Sequence, residues 1–380
     1  MSSDSLALKY RPKKISDLIG QEQATRVLTN LISNAVKTGE LNHAYLFAGK
    51  FGCGKTSAAR IFAASVNNPS GISLEPDLSQ PIVQSIYEGR HIDILEQDAA
   101  ALGKVDEIRA IRENIRFSPL EARYRFVILD EAHRLTDAAA EAALKMIEEP
   151  PANTIFILAT TDPDKIKDTI HSRCMSVNFR SIPWEIIYQH LRKVADLEKI
   201  ECDDTALKIA AKRAKGSMRS SLQNLQKLSM YAGGKKITEQ TAAECLQSVS
   251  ESQYFDLVDS ILKSDIAQAM RSIDLMLGDG REVGDVLEGL VDHLRNLLII
   301  SSCRSTSGLL VLSEDEKKKY VSQIGRFPEG TKGVQVIAEM IDLLANVRKA
   351  IFLNMNPQTM LESFVIKTII FQAALKRAEA

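Results

Sequence analysis

The stretch from Leu41 to Ser57, LNHAYLFAGKFGCGKTS, decides how the rest of the chain is read. Ala44, Tyr45, Leu46 and Phe47 form a short unbroken apolar run, the pattern of a strand buried on both faces. The run ends in a glycine-rich turn, and Gly49 to Thr56 spell G-K-F-G-C-G-K-T, which fits G-x-x-x-x-G-K-[ST] at each fixed position. Glycines there let backbone amides turn inward toward the α- and β-phosphates of a nucleotide, so Gly49, Lys50, Phe51, Gly52, Cys53 and Gly54 are the predicted cradle. Lys55 is placed to reach the β- and γ-phosphates as a point charge, and Thr56 to ligate Mg2+. A helix from about Ser57 would aim its positive end at the same anion. The expected ligands are ATP and Mg2+.

A second acidic site follows. RFVILDEAH places four apolar residues of a buried strand before Asp130 and Glu131, at the carboxyl end where open α/β sheets bind ligands. Asp130 is placed to hold the Mg2+ shell, and Glu131 to orient or deprotonate an attacking water. LTDAAAEAALKMIEEPP then predicts a helix capped by Thr136 or Asp137 and stopped by Pro150-Pro151, with Leu144 and Ile147 on one face. The next strand, TIFILATT, ends with Thr160 and Thr161 beside the phosphate site.

Composition sets the outer bounds. A chain of 380 residues, 45% of them apolar, is too long for one core and suits two or three domains. With 48 basic and 49 acidic residues the net charge is −1, so any nucleic-acid contact has to come from a local basic patch. Cys53, Cys174, Cys202, Cys245 and Cys303 lie far apart without C-x-x-C spacing. That argues against a disulfide framework and a zinc ribbon and fits a reduced, cytoplasmic protein. The opening MSSDSLALKYRPKK has no apolar signal-peptide core, and LLIISS and VIKTIIF are far shorter than a membrane span, so no membrane partner is expected.

Up to about residue 160 the strand-like runs AYLFAG, HIDILEQD, RFVILDE and TIFILAT alternate with helical ones. This predicts an α/β fold, a parallel sheet covered by helices. From Pro163 onward the pattern is helical: Ile186, Ile187, Leu191 and Val194 share a face, and YAGGKK closes a block near Lys236. After Ser250 helical spacing returns at Phe255, Val258, Ile261 and Leu262, and again from Val283 to Leu297. Three domains are expected: residues 1–162 around the nucleotide, 163–243 small and helical, and 244–380 all-α. SSCRSTSG and LSEDEKKKY read as a loop followed by a solvated charged segment.

The P-loop, LDEAH, EEPP, ATTDP and the triplet Ser172-Arg173-Cys174 occur in the order found in AAA+ clamp-loader ATPases. The chain resembles that family over about residues 6 to 230, in particular the gamma/tau motor subunits of bacterial replicative polymerases. KYRPKKISDLIGQEQATRVL is similar to the family's N-terminal element flanking the adenine, which implies nucleotide contact by Tyr10, Arg11 and Pro12, alongside Ser57 after the P-loop. GSMRSSLQNLQKL is similar to the sensor 2 helix, with Arg219 as its arginine. The resemblance implies that Lys55 and Thr56 form the phosphate and Mg2+ site, that Asp130 and Glu131 are the second acidic motif, and that Thr161 is the first sensor. Arg173 becomes an arginine finger presented to ATP on a neighbouring subunit, a role suited to a planar, always-charged guanidinium. DAAALGKVDEIRAIREN resembles the helix that tracks duplex phosphates, which implies sequence-independent DNA contact by Lys104, Arg109 and Arg112.

The implied architecture is an AAA+ P-loop domain, a helical lid over residues 163–243 and a helical collar over 244–380. The implied partners are other clamp-loader subunits in a pentameric ring, a sliding clamp and primer-template DNA. The implied function is an ATP-hydrolysing motor that opens the clamp and places it on DNA. The alternatives are a non-hydrolysing structural subunit and an AAA+ helicase or translocase. Intact Lys55, Thr56, Asp130 and Glu131 speak against the first, and the lack of a recognisable winged-helix tail against the second.

Gamma/tau subunits usually carry a four-cysteine zinc module after the P-loop helix. Here Asn68, Asp77, Gln80 and Val83 stand at those positions, so no zinc is expected. The chain stops at residue 380 without the extension by which tau forms tether polymerase and helicase, which reads as a bare motor. Leu102 and Gly103 replace an Arg-Thr pair common in relatives, which implies a weaker grip on DNA. Cys53 and the lone Trp184 read as loop tolerance and core filling.

Overall fold

All four strand-like runs form strands: β1 (Ala44–Ala48), β2 (Ile94–Asp98), β3 (Arg125–Asp130) and β4 (Thr154–Thr160). The computed structural model describes residues 5–101, 105–246, 250–278, 281, 283–303, 310, 312 and 314–377. A fifth strand, β5 (Met175–Asn178), lies where only helical pattern was expected, and corrects that reading. Its sequence MSVN buries only Val177, so hydropathy carries no strand signal. Pairing specifies it instead, with Tyr45 opposite Met175 and Ala48 opposite Asn178. The sheet is parallel throughout, in the order β2-β3-β4-β1-β5.

Helices α1 (Leu6–Lys9) and α2 (Glu22–Thr38) precede β1, and α3 (Lys55–Val66) and α4 (Pro81–Glu88) lead to β2. Helices α5 (Val105–Asn114), α6 (Asp137–Glu148) and α7 (Asp168–His171) lead to β3, β4 and β5. Side-chain alternation divides β1 between two cores. Tyr45 and Phe47 pack with Leu28, Ile32, Phe62 and Ile86 of α2, α3 and α4, while Ala44 and Leu46 pack with Ile108, Ala139 and Met146 of α5 and α6. With both faces covered, every residue of β1 and β4 is buried, which is why each appears as a continuous apolar run. Thr136 caps α6 by accepting the Ala139 amide, which decides between the two candidate caps.

Two polar arrangements brace this unit. Asp93, fully buried, accepts the Leu120, Glu121 and Ala122 amides at 2.9–3.0 Å and the Arg125 guanidinium at 2.9 Å. Burial alone would raise its pKa, but these donors hold it down at about 2. The segment after α3 is stitched by amides: Asn68 Nδ2 donates to Gly71 O at 2.9 Å, Asn68 Oδ1 accepts the Asp77 amide at 3.2 Å, and Gln80 Nε2 donates to Asp77 Oδ2 at 3.1 Å. Val83 is fully buried in the core. Among the described residues, no group of three His, Cys, Asp or Glu side chains is placed to hold a metal ion.

Beyond β5 the chain is helical: α8 (Trp184–Leu197), α9 (Asp204–Arg213), α10 (Met218–Ala232), α11 (Glu239–Cys245), α12 (Glu251–Leu262) and α13 (Ile266–Leu277). It continues through α14 (Val283–Ser302), α15 (Glu314–Ile324), α16 (Thr331–Phe352) and α17 (Pro357–Arg377). Trp184 is only half-buried, with the Lys212 ammonium 5.0 Å from its ring centroid, which corrects its reading as core filling. LSEDEKKKY, read as a solvated segment, runs into α15, where Tyr320 is buried and Glu316 pairs with Lys208 at 3.0 Å. Most of SSCRSTSG lies outside the described residues.

The chain divides into two compact units, Met1–Lys199 with Ala210–Lys227, and Ile200–Ile209 with Leu228–Ala380. The second has its own core, with Leu257, Ile273, Leu290, Leu294, Met340 and Phe364 among its members. Within it His293 is buried, ringed by Phe255 and Tyr320 at 4.5 and 5.0 Å between centroids. Gln323 spends its amide nitrogen on Phe255 O and Asp259 Oδ1, so its oxygen accepts and His293 Nε2 carries the proton, 2.8 Å away. Burial lowers the His293 pKa to about 4 despite Gln323 and Asp259. No helix among the described residues is long and apolar enough to cross a membrane.

Candidate active site

The predicted helix begins at Lys55 rather than near Ser57, so Gly49 to Gly54 form the loop between β1 and α3. The Gly49 amide donates to Thr160 O at 3.1 Å, and a Cβ on Gly49 would lie 2.3 Å from Phe179 O. The loop is therefore pinned between the end of β4 and the residue after β5, with no room for a side chain. Gly52 has φ of 71°, and a Cβ there would lie 2.0 Å from Ser217 Oγ. Its carbonyl accepts the amides of Met218 at 3.0 Å and Arg219 at 3.4 Å, so α10 starts directly on the loop. Cys53 is buried and donates its thiol to Lys50 O at 2.8 Å, and burial raises its pKa. It is a packing residue, which corrects its reading as loop tolerance.

Lys55 is 5% exposed, and its ammonium donates to Gly49 O at 2.7 Å and Lys50 O at 3.1 Å. Thr56 Oγ1 donates to Asp130 Oδ2 at 2.9 Å, while Asp130 Oδ1 accepts the Glu131 amide at 3.0 Å. Glu131 has φ of 50°, a left-handed conformation that costs a side-chain-bearing residue roughly 1 kcal/mol. Its Oε2 accepts the Thr161 hydroxyl at 2.7 Å and the Thr161 amide at 3.3 Å. The Thr160 hydroxyl donates to Asp162 O, so it accepts from His133 Nδ1 at 3.1 Å, and the same nitrogen stands 3.4 Å from Glu131 Oε2.

Positive charge gathers beside this acid pair. Arg11 Nε donates to Ser57 Oγ at 3.0 Å. Burial lowers the Arg11 pKa to about 10, with Arg60 and Arg219 pushing the same way and Glu96 and Asp130 opposing, so it stays charged at neutral pH. Arg60 forms a two-pronged pair with Glu96 at 2.7 and 2.9 Å. The buried ammonium and the glycine-lined loop fit a phosphate chain. The hydroxyl beside a carboxylate is a hard oxygen pair that fits Mg2+, an ion bound through few protein ligands and the substrate's phosphates.

Residues 22–183 match the model of the DNA polymerase III delta subunit, and residues 186–224 that of the DNA polymerase III clamp loader subunit ATPase lid domain. The chain is 33% identical to DNA polymerase III subunit tau of Bacillus subtilis, over 97% of this chain and 63% of that protein. It is 34% identical to DNA polymerase III subunit gamma of Buchnera aphidicola, over 92% of this chain and 94% of that one. The chain belongs to the DNA polymerase III gamma/tau family. It spans less than two thirds of the B. subtilis tau subunit and nearly the whole Buchnera gamma subunit. A RuvB variant from Thermotoga maritima shares the AAA+ fold at a TM-score of 0.50 and 20% identity, covering 68% of this chain and 81% of that one.

In this gamma/tau-family chain the other predicted residues stand apart from the acid pair. Arg173 donates to Thr169 O and to Glu148 Oε1, both at 2.8 Å, so it is held by α6 and α7. Tyr10 Oη donates to Glu198 Oε1 at 2.5 Å, turning its hydroxyl to the residue that ends α8. The exposed Arg219 guanidinium lies over the Phe51 ring, 5.6 Å from its centroid. Of the three expected DNA contacts, Lys104 lies outside the described residues and only the backbone of Arg109 is described, whereas Arg112 is exposed in the last turn of α5. Sequence reasoning missed His133, Arg60 and Glu96, whereas Thr160 stands beside the phosphate site as expected. The histidine following the acid pair in LDEAH was a usable signal; the Arg60–Glu96 pair had none, since its partners meet only in the folded sheet.

Proposed function

We propose that this gamma/tau-family chain is the ATP-hydrolysing motor subunit of a DNA sliding-clamp loader, opening a clamp and placing it on primer-template DNA. The observation that carries the reading is the linked set Thr56, Asp130, Glu131 and Thr161, in which one carboxylate holds a hydroxyl and the next is held by one. Lys55 exchanges its loop carbonyls for β- and γ-phosphate oxygens, and the amides of Gly49 to Gly54 line the phosphate chain. Thr56 and Asp130 would hold Mg2+, which when bound would neutralise charge on the phosphates. Glu131 takes the proton of the attacking water while the Thr161 hydroxyl and amide hold its carboxylate in place. Arg11 and Arg219 add positive charge beside the phosphates.

Arg173 acts on a neighbouring subunit's nucleotide, in keeping with its place at Glu148 rather than on its own loop. The nucleotide-binding domain spans residues 1–162 and takes in β5, so the lid expected over 163–243 starts only after Asn178, and 244–380 form the collar of a pentameric ring with other loader subunits. Lys104, Arg109 and Arg112 meet DNA phosphates. The protein works in the cytoplasm and without zinc.

ATP turnover measured with and without a sliding clamp and primer-template DNA tests the reading. Stimulation by both is expected, with Lys55→Ala abolishing turnover. Arg173→Ala is expected to keep nucleotide affinity and lose most stimulated hydrolysis, since removal of such a finger costs roughly 10³–10⁵ where it alone limits the rate. In a ring carrying the Arg173 change in one subunit, the loss belongs in the adjacent pocket. Turnover indifferent to clamp and DNA would overturn the loader assignment, and binding without hydrolysis would favour a structural subunit.

A further inference from the structure

Phe51 occupies a variable position of the P-loop, where the motif makes no demand, yet it carries a large ring that is 56% exposed. Core packing does not account for that ring. Its partner is the guanidinium of Arg219, within the distance at which a cation is attracted to an aromatic face. The backbone explains how the two meet. Because the Arg219 amide bonds to Gly52 O, the arginine's Cα is held one residue from Phe51, and only the side-chain torsions remain free. The influence of Arg219 on Arg11, whose Nε is bonded to Ser57, shows that the parked guanidinium lies close enough to feel the charge beside the phosphate loop.

We propose that Phe51 is a positioning residue for Arg219, its ring face holding the guanidinium at the mouth of the phosphate loop so that an incoming nucleotide meets it already placed. The proposal rests on the nucleotide-binding reading above and adds to it a residue that acts through another. Removing the ring leaves Arg219 the same charge but returns its torsional freedom, which binding then has to restrict.

The experiment is a double-mutant cycle on affinity for a non-hydrolysable ATP analogue with Mg2+, read by calorimetry. Phe51→Ala is expected to weaken binding roughly 2- to 5-fold, the size of an exposed cation–π contact. In the Arg219→Ala background the same change should cost nothing further. Phe51→Tyr, which keeps the ring face, should bind like the parent, and Phe51→Leu, apolar without a face, should bind like Phe51→Ala. Additive losses, or a Phe51→Leu chain that binds like the parent, would overturn the positioning role while leaving Lys55-dependent nucleotide binding intact. A parent chain that binds no nucleotide would overturn both.

Discussion

Glu131 is held in a conformation that a side-chain-bearing residue adopts only at some cost, and the Thr161 hydroxyl fixes its carboxylate there. Replacing that hydroxyl by a methyl group keeps the shape and removes the donor. Thr161→Val is therefore expected to lower kcat about 10-fold, a fraction of what general-base catalysis contributes, and to leave nucleotide affinity within about 2-fold. Single-turnover hydrolysis beside equilibrium binding measures the two separately, and an unchanged kcat would remove Thr161 from the mechanism. The place of Thr161 at the end of a strand was legible in ATT. Its bond to Glu131 was not, because that depends on a backbone angle at Glu131 that no residue pattern reports.

At the level of elements, legibility followed burial. β1, β3 and β4 lie between two layers of helices and so announce themselves as apolar runs, and the loops at their ends carried the phosphate and acidic motifs with them. β5 escaped notice because one buried side chain in four makes no pattern; its identity comes from the open edge of β1. The segment after α3 shows the same dependence on three-dimensional context. Asn68 binds Gly71 O and the Asp77 amide with its two side-chain atoms, so a chain prepared with excess chelator should keep its melting temperature and contain no stoichiometric zinc. Asn68→Ala strands a carbonyl and an amide and should cost about 1–2 kcal/mol, seen as a lower melting temperature with nucleotide binding retained. One equivalent of zinc in elemental analysis, or melting that shifts with chelator, would contradict this.

Across the whole molecule, two buried groups set separate acid limits. His293 has its pKa lowered to about 4, so the folded second unit keeps it neutral while the unfolded chain takes up a proton near pH 6.5. Its contribution is fully present above pH 6.5 and is lost as the pH falls toward 4, to the extent of about 3 kcal/mol. Asp93, held at about 2 in the first unit, contributes above its ordinary carboxylate value. That contribution, about 2 kcal/mol, is lost only between roughly pH 4 and 2. Trp184, the lone tryptophan, belongs to the first unit and supplies a local probe. Helical circular dichroism should begin to fail between pH 6.5 and 4 while Trp184 fluorescence holds until below about 4. Loss of both signals together near pH 3 would show that His293 does not set the earlier limit. His293→Leu should remove the upper window.

The sheet order has a consequence for how the protein is made. β1 finds both of its partners later in the chain, β4 and then β5, the second roughly 130 residues downstream. At about 5–20 residues per second, a ribosome needs roughly 7–26 s to supply them. Until β4 emerges AYLFA is an apolar segment with both edges unpaired, and until β5 follows, one edge stays open and the loop after it lacks Phe179 to pin it. Nucleotide therefore cannot rescue a nascent chain early. Ribosome-released fragments ending before Asn178 should be clients of chaperones that shield extended apolar segments, and fragments reaching past Phe179 should escape them.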